Sequence, residues 1–263
     1  MSGFAPDHPG ATVRTSPNFG DRRGCDRPDA IILHYTGMES GEAAEDWLCN
    51  PASEVSSHYL IHEDGRIVQM VRETDRAWHA GKSVWAGIAD MNSHSVGIEI
   101  ANPGHELGYS AFPREQVGAV IELCRGIVAR HAIKPERVLA HSDIAPGRKI
   151  DPGEKFPWHL LAEAGIGLWV EPEPIGNDVG LCKGDSGDAV KSLQSKLLSY
   201  GYGIEPTGSF DDRTRIVIEA FQRHFRPGRV DGVADRSTVE TLDRLLSADA
   251  PLGALQTGPG GKA

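Results

Sequence analysis

The sequence predicts an α/β domain, a mixed β-sheet flanked by helices, followed by a small all-α three-helix domain. Three observations carry this. In the first part of the chain, short β-branched runs alternate with a long stretch of helical periodicity. Around residue 170 the composition shifts to the proline-rich, acidic seam GLWVEPEPIGND, which reads as an extended connector. Beyond it come three amphipathic segments with helical spacing. The expected division is residues 1–168 for the α/β domain, 169–180 for the linker, 181–248 for the helical domain and 249–263 for a disordered tail too poor in large apolar groups to pack.

Taken in order, residues 30–34 (AIILH), 57–61 (SHYLI), 66–70 (RIVQM), 95–100 (SVGIEI) and 138–141 (VLAH) each read as a strand. Asp64-Gly65 between the second and third runs is a hairpin signal. From Pro113, the apolar residues Val117, Val120, Ile121, Cys124, Ile127 and Val128 form one helix face that ends near His131. In the helical part, Val190, Leu193, Leu197 and Leu198 are expected inward, with a stop at Gly201. The second helix is expected to bury Ile216, Ala220 and Phe221, and the third Val239, Leu242 and Leu246. Asp188, Asp211 and Asp235 stand where each could cap the start of a helix.

Composition narrows the function. Of 263 residues, 27 are Lys or Arg and 37 are Asp or Glu, a net charge of −10 that opposes nucleic-acid binding through a broad basic face. No apolar run approaches the length of a membrane span. The four cysteines (Cys25, Cys49, Cys124, Cys182) lie far apart without metal-binding spacing, which disfavours both a thiolate cage and a disulfide framework.

The polar residues at strand ends are the chemically informative ones. His34 closes AIIL and His141 closes VLA; alone, either is most simply a core histidine satisfied by backbone. Together with HSDIAPGRKIDPG they suggest more, because Pro146, Gly147, Pro152 and Gly153 stiffen a loop carrying Asp143, Arg148, Lys149 and Asp151. Two imidazoles and one carboxylate make a three-ligand set with a vacancy, the arrangement of a catalytic zinc. His34, His141 and Asp151 are therefore the candidate ligands, with His58 and His79 as competitors. Glu99 points opposite to Ile98 and Ile100 by alternation; facing a cavity, it is a candidate general base, and otherwise a solvated carboxylate. Lys149 is the candidate for stabilising an oxyanion.

The runs IILHYTG, SSHYLIHEDGRIVQMV, RAWHAG, SVGIEIANPG and AHSDIAPGRKIDPGEKFPW resemble the type-2 zinc N-acetylmuramoyl-L-alanine amidases over roughly residues 12–165. The segments GDSGDAVKSLQ and FQRHFRP resemble a three-helix peptidoglycan-binding domain, and the pairing resembles the AmiD/AmpD-like branch. The resemblance implies Zn²⁺ held by His34, His141 and Asp151, with Glu99 and Lys149 catalytic. It also implies cleavage between N-acetylmuramic (or anhydromuramic) acid and L-Ala of a stem peptide, in cell-wall turnover or muropeptide recycling. Arg148, next to the catalytic loop, is the expected partner of stem-peptide carboxylates, with Arg76 and Lys82 as alternatives and His79, Tyr35 and Trp78 lining the groove. A zinc endopeptidase of the wall and a non-catalytic peptidoglycan-recognition protein are the rival readings. The opening stretch lacks an apolar core of signal-peptide length, which points to the cytoplasm. The implied wall-binding domain makes the periplasm the alternative.

Overall fold

A computed structural model describes residues 4–248; the tail expected at 249–263 lies outside the described residues. The strands are β1 (Thr12–Val13), β2 (Phe19–Gly20), β3 (Ala30–Tyr35), β4 (Tyr59–Ile61), β5 (Ile67–Gln69), β6 (Arg76–Ala77), β7 (Ser95–Ile100) and β8 (Val138–Ala140). The helices are α1 (Gly41–Leu48), α2 (Met91–His94), α3 (Arg114–His131), α4 (His141–Ile144), α5 (Trp158–Glu163), α6 (Asp188–Tyr200), α7 (Asp212–Phe225) and α8 (Arg236–Ala248).

Six strands form one sheet in the order β1-β5-β4-β7-β3-β8. It is mixed: β4 and β5 are antiparallel, while β4, β7, β3 and β8 run parallel. The β4–β5 hairpin turns at Asp64-Gly65, where Gly65 takes a φ of 85° and the Asp64 carboxylate accepts from the Arg66 N–H. Because β3 is paired on both sides, by β7 and β8, and covered on both faces, its apolar run is continuous, and Ala30 through Leu33 are fully buried.

Alternation divides the sheet residues between two cores. On one face Ile31, Leu33, Val96, Ile98 and Ile100 pack against Val120, Leu123, Cys124 and Ile127 of α3. On the other face Leu60, Val68 and Met70 lie under Ala44 and Leu48 of α1. That same face, farther along, carries Ile32 and Leu139, which join one cluster with Val190, Leu193, Val217, Phe221 and Leu242 of the helical region. The helical region is thus fused to the sheet through a shared core rather than standing off on its connector. Between α1 and this region the second face stays open at the carboxyl ends of β3 and β7, the usual place for a site in a sheet of parallel strands.

A second buried network ties α3 to the sheet. The Glu73 carboxylate, its side chain 3% exposed, accepts from Tyr59 Oη (2.7 Å), Arg130 Nη2 (2.6 Å) and Nε (2.9 Å), and His131 Nε2 (2.7 Å). Burial alone would raise this carboxyl, but His131, Arg130 and Tyr59 together hold it down at about 2.

Some local expectations need correction. His141 does not end a strand; it opens α4, because β8 stops at Ala140. Leu198 is 46% exposed, as the inward face of α6 is filled by Val190, Leu193, Leu197 and Tyr200. On α7, Val217 and Ile218 fill the core with Ala220 and Phe221, while Ile216 is half-buried against Gly147 of the preceding region. Asp211 and Asp235 accept from the backbone N–H groups of Thr214 and Thr238, but α6 is capped by Gly187 with no side-chain acceptor. Gly201 ends α6 at a φ of 135° and leaves room for Trp85, which a Cβ would meet at 2.6 Å.

Candidate metal and catalytic site

Strand register brings the first two groups together. His34 of β3 lies opposite Glu99 of β7 in a parallel pair, so both side chains leave the sheet on its open face. The loop after β8 returns across the strand ends with His141, Lys149 and Asp151. It is pinned by Ser142 N–H donating to the Asp151 carbonyl (3.0 Å) and by the Arg148 and Lys149 N–H groups donating to Ala145.

Three atoms converge. His34 Nδ1 lies 2.8 Å from His141 Nδ1 and 3.1 Å from Asp151 Oδ2, and His141 Nδ1 lies 3.0 Å from the same oxygen. All three residues are buried. Their hydrogen-bond partners assign the tautomers. His141 Nε2 faces the Ala80 carbonyl at 3.2 Å and the Arg148 guanidinium at 3.4 Å; the shorter contact, to an oxygen that can only accept, puts the proton on Nε2 and a lone pair on Nδ1. Behind His34 runs a directional chain: the Ser95 hydroxyl donates to the Met91 carbonyl and accepts from His79 Nε2 (3.2 Å). His79 Nδ1 is then left to accept from His34 Nε2 (3.0 Å), and His34 Nδ1 also shows a lone pair.

Burial first, then neighbouring His141, pushes the His34 imidazole down to about 4, so it is neutral at pH 7. Burial, then His34 and His58, holds His79 well below its ordinary value. For Asp151 burial acts upward, but His141 and His34 overcome it and keep the group well below the usual carboxylate range. Two imidazole lone pairs and a carboxylate at this spacing repel one another unless a cation lies among them. A divalent ion with nitrogen and oxygen ligands fits this donor set, each ligand being deprotonated as metal binding requires.

Glu99 borders the same groove, a cavity of about 520 Å³ that also contains Lys149, Tyr35, Trp78, His79 and Arg148. Its Oε2 is buried without a hydrogen-bond partner among the described residues. Burial, then the Asp151 charge, raises its carboxyl well above the ordinary value, against the opposing effect of Lys149.

The substrate-contact residues divide. Tyr35 lies on the groove with its hydroxyl 3.0 Å from His105 Nδ1, and Trp78 forms wall with Trp47 and Val55. His79 has both ring nitrogens engaged inward, which makes it a support of His34 more than a substrate contact. The Arg148 guanidinium donates to the carbonyls of Ala80 (2.6 Å) and Lys82 (2.8 Å), so the expected carboxylate reader is turned toward the backbone beside His141. Arg76 is paired with Asp90 at 2.9 Å. His58 takes the Gly97 N–H at Nδ1 and faces the Asp75 carbonyl at Nε2, which leaves it outside the ligand set. Sequence reasoning missed Trp47, whose 47% exposure on a short helix reads as an ordinary surface position until the groove is seen.

Residues 24–154 match the N-acetylmuramoyl-L-alanine amidase family and residues 186–242 a putative peptidoglycan-binding domain. The chain is 37% identical over 236 residues to N-acetylmuramoyl-L-alanine amidase AmiD of Escherichia coli, covering 84% of this chain and 83% of the relative. It is 40% identical over 161 residues to 1,6-anhydro-N-acetylmuramyl-L-alanine amidase AmpD of Haemophilus influenzae, covering 54% of this chain and 85% of that one. Its structure matches that of the E. coli AmiD in complex with anhydro-N-acetylmuramic acid-L-Ala-D-gamma-Glu-L-Lys, with a TM-score of 0.72, 35% identity and coverage of 88% and 98%. AmpDh3 of Pseudomonas aeruginosa in complex with anhydromuramic pentapeptide matches with a TM-score of 0.70, 32% identity and coverage of 89% and 95%. Matched along most of its own length and most of the length of two such relatives, the chain belongs to the N-acetylmuramoyl-L-alanine amidase family.

Proposed function

We propose that this protein is a zinc-dependent amidase acting on peptidoglycan fragments. It hydrolyses the amide between the lactyl group of N-acetylmuramic or anhydromuramic acid and the L-alanine of the stem peptide. The observation that carries this reading is the meeting of His34 Nδ1, His141 Nδ1 and Asp151 Oδ2 beside Glu99, whose buried Oε2 has no partner among the described residues. An ion held there supplies Lewis-acid polarisation of the scissile carbonyl and acidifies the attacking water.

The chain's own groups do the rest. Glu99, desolvated and therefore basic for a carboxylate, takes the proton of the water as its oxygen attacks the carbonyl carbon. It then delivers that proton to the alanine nitrogen as the C–N bond breaks. Lys149 offsets the negative charge that develops on the carbonyl oxygen. Trp47, Trp78 and Val55 give the groove an apolar surface suited to the faces of a sugar ring, while the Tyr35 hydroxyl, held by His105, gives it a polar edge. The helical region is assigned a wall-binding role, which adds polymeric peptidoglycan to the possible substrates.

Mass spectrometry of products from anhydromuropeptides and from intact sacculi tests this. Release of intact stem peptide with a free L-alanine amino terminus is expected. Fragments cut within the peptide would identify an endopeptidase instead, and unchanged substrate a recognition protein.

A further inference from the structure

We propose that the helical region positions the metal-ligating loop, with Tyr202 and His224 as positioning residues acting through Asp143; this rests on the zinc reading above. The loop over residues 141–151 carries His141, Lys149 and Asp151, yet its only helix is the four-residue α4. Such a loop needs external fixing if two ligands are to hold their separation.

Asp143 supplies the fixing point. It is fully buried, two residues past His141, and every donor to its carboxylate is in place. Oδ2 accepts from the Ala140 N–H (2.8 Å) and from His224 Nδ1 (2.6 Å), and Oδ1 accepts from the Tyr202 hydroxyl (2.7 Å). Two of the three donors therefore come from the helical region. Neither can swing away easily. The His224 ring lies 3.7 Å from the Trp158 ring on one side and 3.7 Å from Phe225 on the other, both near-parallel, which fixes the direction of Nδ1. Its Nε2 is buried and has no partner among the described residues, so Asp143 is the ring's one hydrogen-bond partner there. Tyr202 is buried edge-on to Trp85 at 4.9 Å.

The same region touches the loop again at Gly147, where a Cβ would come within 2.6 Å of Ile216 Cδ1. It also accepts the Ala86 N–H at the Gly201 carbonyl (2.8 Å), next to the segment whose Val84 N–H binds Ile144. Since Ser142 N–H ties α4 to the Asp151 carbonyl, holding Asp143 sets His141 and Asp151 together. The helical region is then a structural floor of the site as well as a wall-binding module.

The test uses the full chain. Zinc affinity is measured by competition with a chromophoric chelator, alongside the absorption spectrum of the Co²⁺-loaded protein and Tm, for Tyr202→Phe, Asp143→Asn and the core truncation Leu245→Ala on α8. Tyr202→Phe, which removes one oxygen and keeps the ring, is expected to weaken zinc binding about tenfold and to shift the Co²⁺ bands. Asp143→Asn is expected to do more, and Leu245→Ala to lower Tm with zinc affinity unchanged. Zinc affinity and Co²⁺ spectrum equal to wild type in both Tyr202→Phe and Asp143→Asn, with Tm lowered, would overturn the positioning role. A wild-type chain that takes up no stoichiometric zinc overturns the ligand assignment itself, a distinct failure.

Discussion

Replacing Glu73 by glutamine should destabilise the protein in a pH-dependent way whose size follows from the network around it. The carboxyl sits at about 2 in the folded chain against an ordinary 4.5. At 1.36 kcal/mol per unit, this shift is worth about 3 kcal/mol at pH 7. The sign follows from a depressed acid: the contribution is fully present above the unfolded value of 4.5 and is lost as pH falls toward 2. At pH 3 less than half of it should remain. A neutral amide at this position cannot carry the charge that Arg130 and His131 address, so the difference between wild type and Glu73→Gln isolates this contribution from the other carboxylates that titrate on acidification. Urea unfolding of both proteins at pH 7, 5, 4 and 3 measures it. A difference that narrows by roughly 2 kcal/mol between pH 7 and 3 is expected. A constant difference over that range would refute the electrostatic account and leave only the loss of packing.

Other outcomes follow from the groove. Glu99→Gln should keep zinc affinity, because Glu99 is not among the three converging atoms, and should lower kcat by about 10²–10⁴; a near-wild-type rate would remove Glu99 as the base. His79→Ala should weaken zinc binding by about 10–100-fold without touching an ion directly, since it frees the His34 tautomer; chelator competition reads this, and an unchanged affinity would show the chain behind His34 to be dispensable. Trp47→Ala should raise KM for muropeptides with Tm nearly unchanged, the side chain being about half exposed; an unchanged KM would take that wall out of substrate binding.

The fold is legible wherever one periodicity dominates. The continuous apolar run of β3 and the amphipathic stretch of α3 each have a single buried solution, and the structure uses it. Leu198 departs from expectation because Val190, Leu193, Leu197 and Tyr200 already fill the inward face of α6, and Ile216 because α7 packs on its own core and also on the loop at Gly147. Contacts to a second partner leave no periodic trace. The His34–His141–Asp151 set is visible from strand ends and a proline-stiffened loop, but the choice among imidazoles needs strand register: His34 shares a face with Glu99, while the His58 ring is committed to Gly97 and Asp75. Arg148 shows the limit of reasoning by charge, since a guanidinium beside a catalytic loop can serve backbone carbonyls as readily as substrate. Asp143, Tyr202 and His224 cannot be joined from sequence, because a buried carboxylate's donors 59 and 81 residues away follow no local rule.

Zinc itself offers a perturbation that separates the two faces of the sheet. On the α3 face, stability comes from apolar packing that no ion affects. On the open face, the tautomers fixed by Ala80 and by the His79–Ser95 chain force two lone pairs and a carboxylate together within 3.1 Å. Folding builds that repulsion, and an ion bound only by the folded chain relieves it. Free zinc at a hundred times its Kd should therefore raise unfolding free energy by about 2.7 kcal/mol, and tenfold more zinc by a further ~1.4 kcal/mol. Thermal scans across a zinc series buffered by chelator give the slope. His34→Ala should flatten it, because two remaining ligands hold the ion poorly. A Tm independent of free zinc in a chain that binds the ion stoichiometrically would mean the unfolded chain binds it equally well, and the preformed convergence of the three atoms would then lose its energetic meaning.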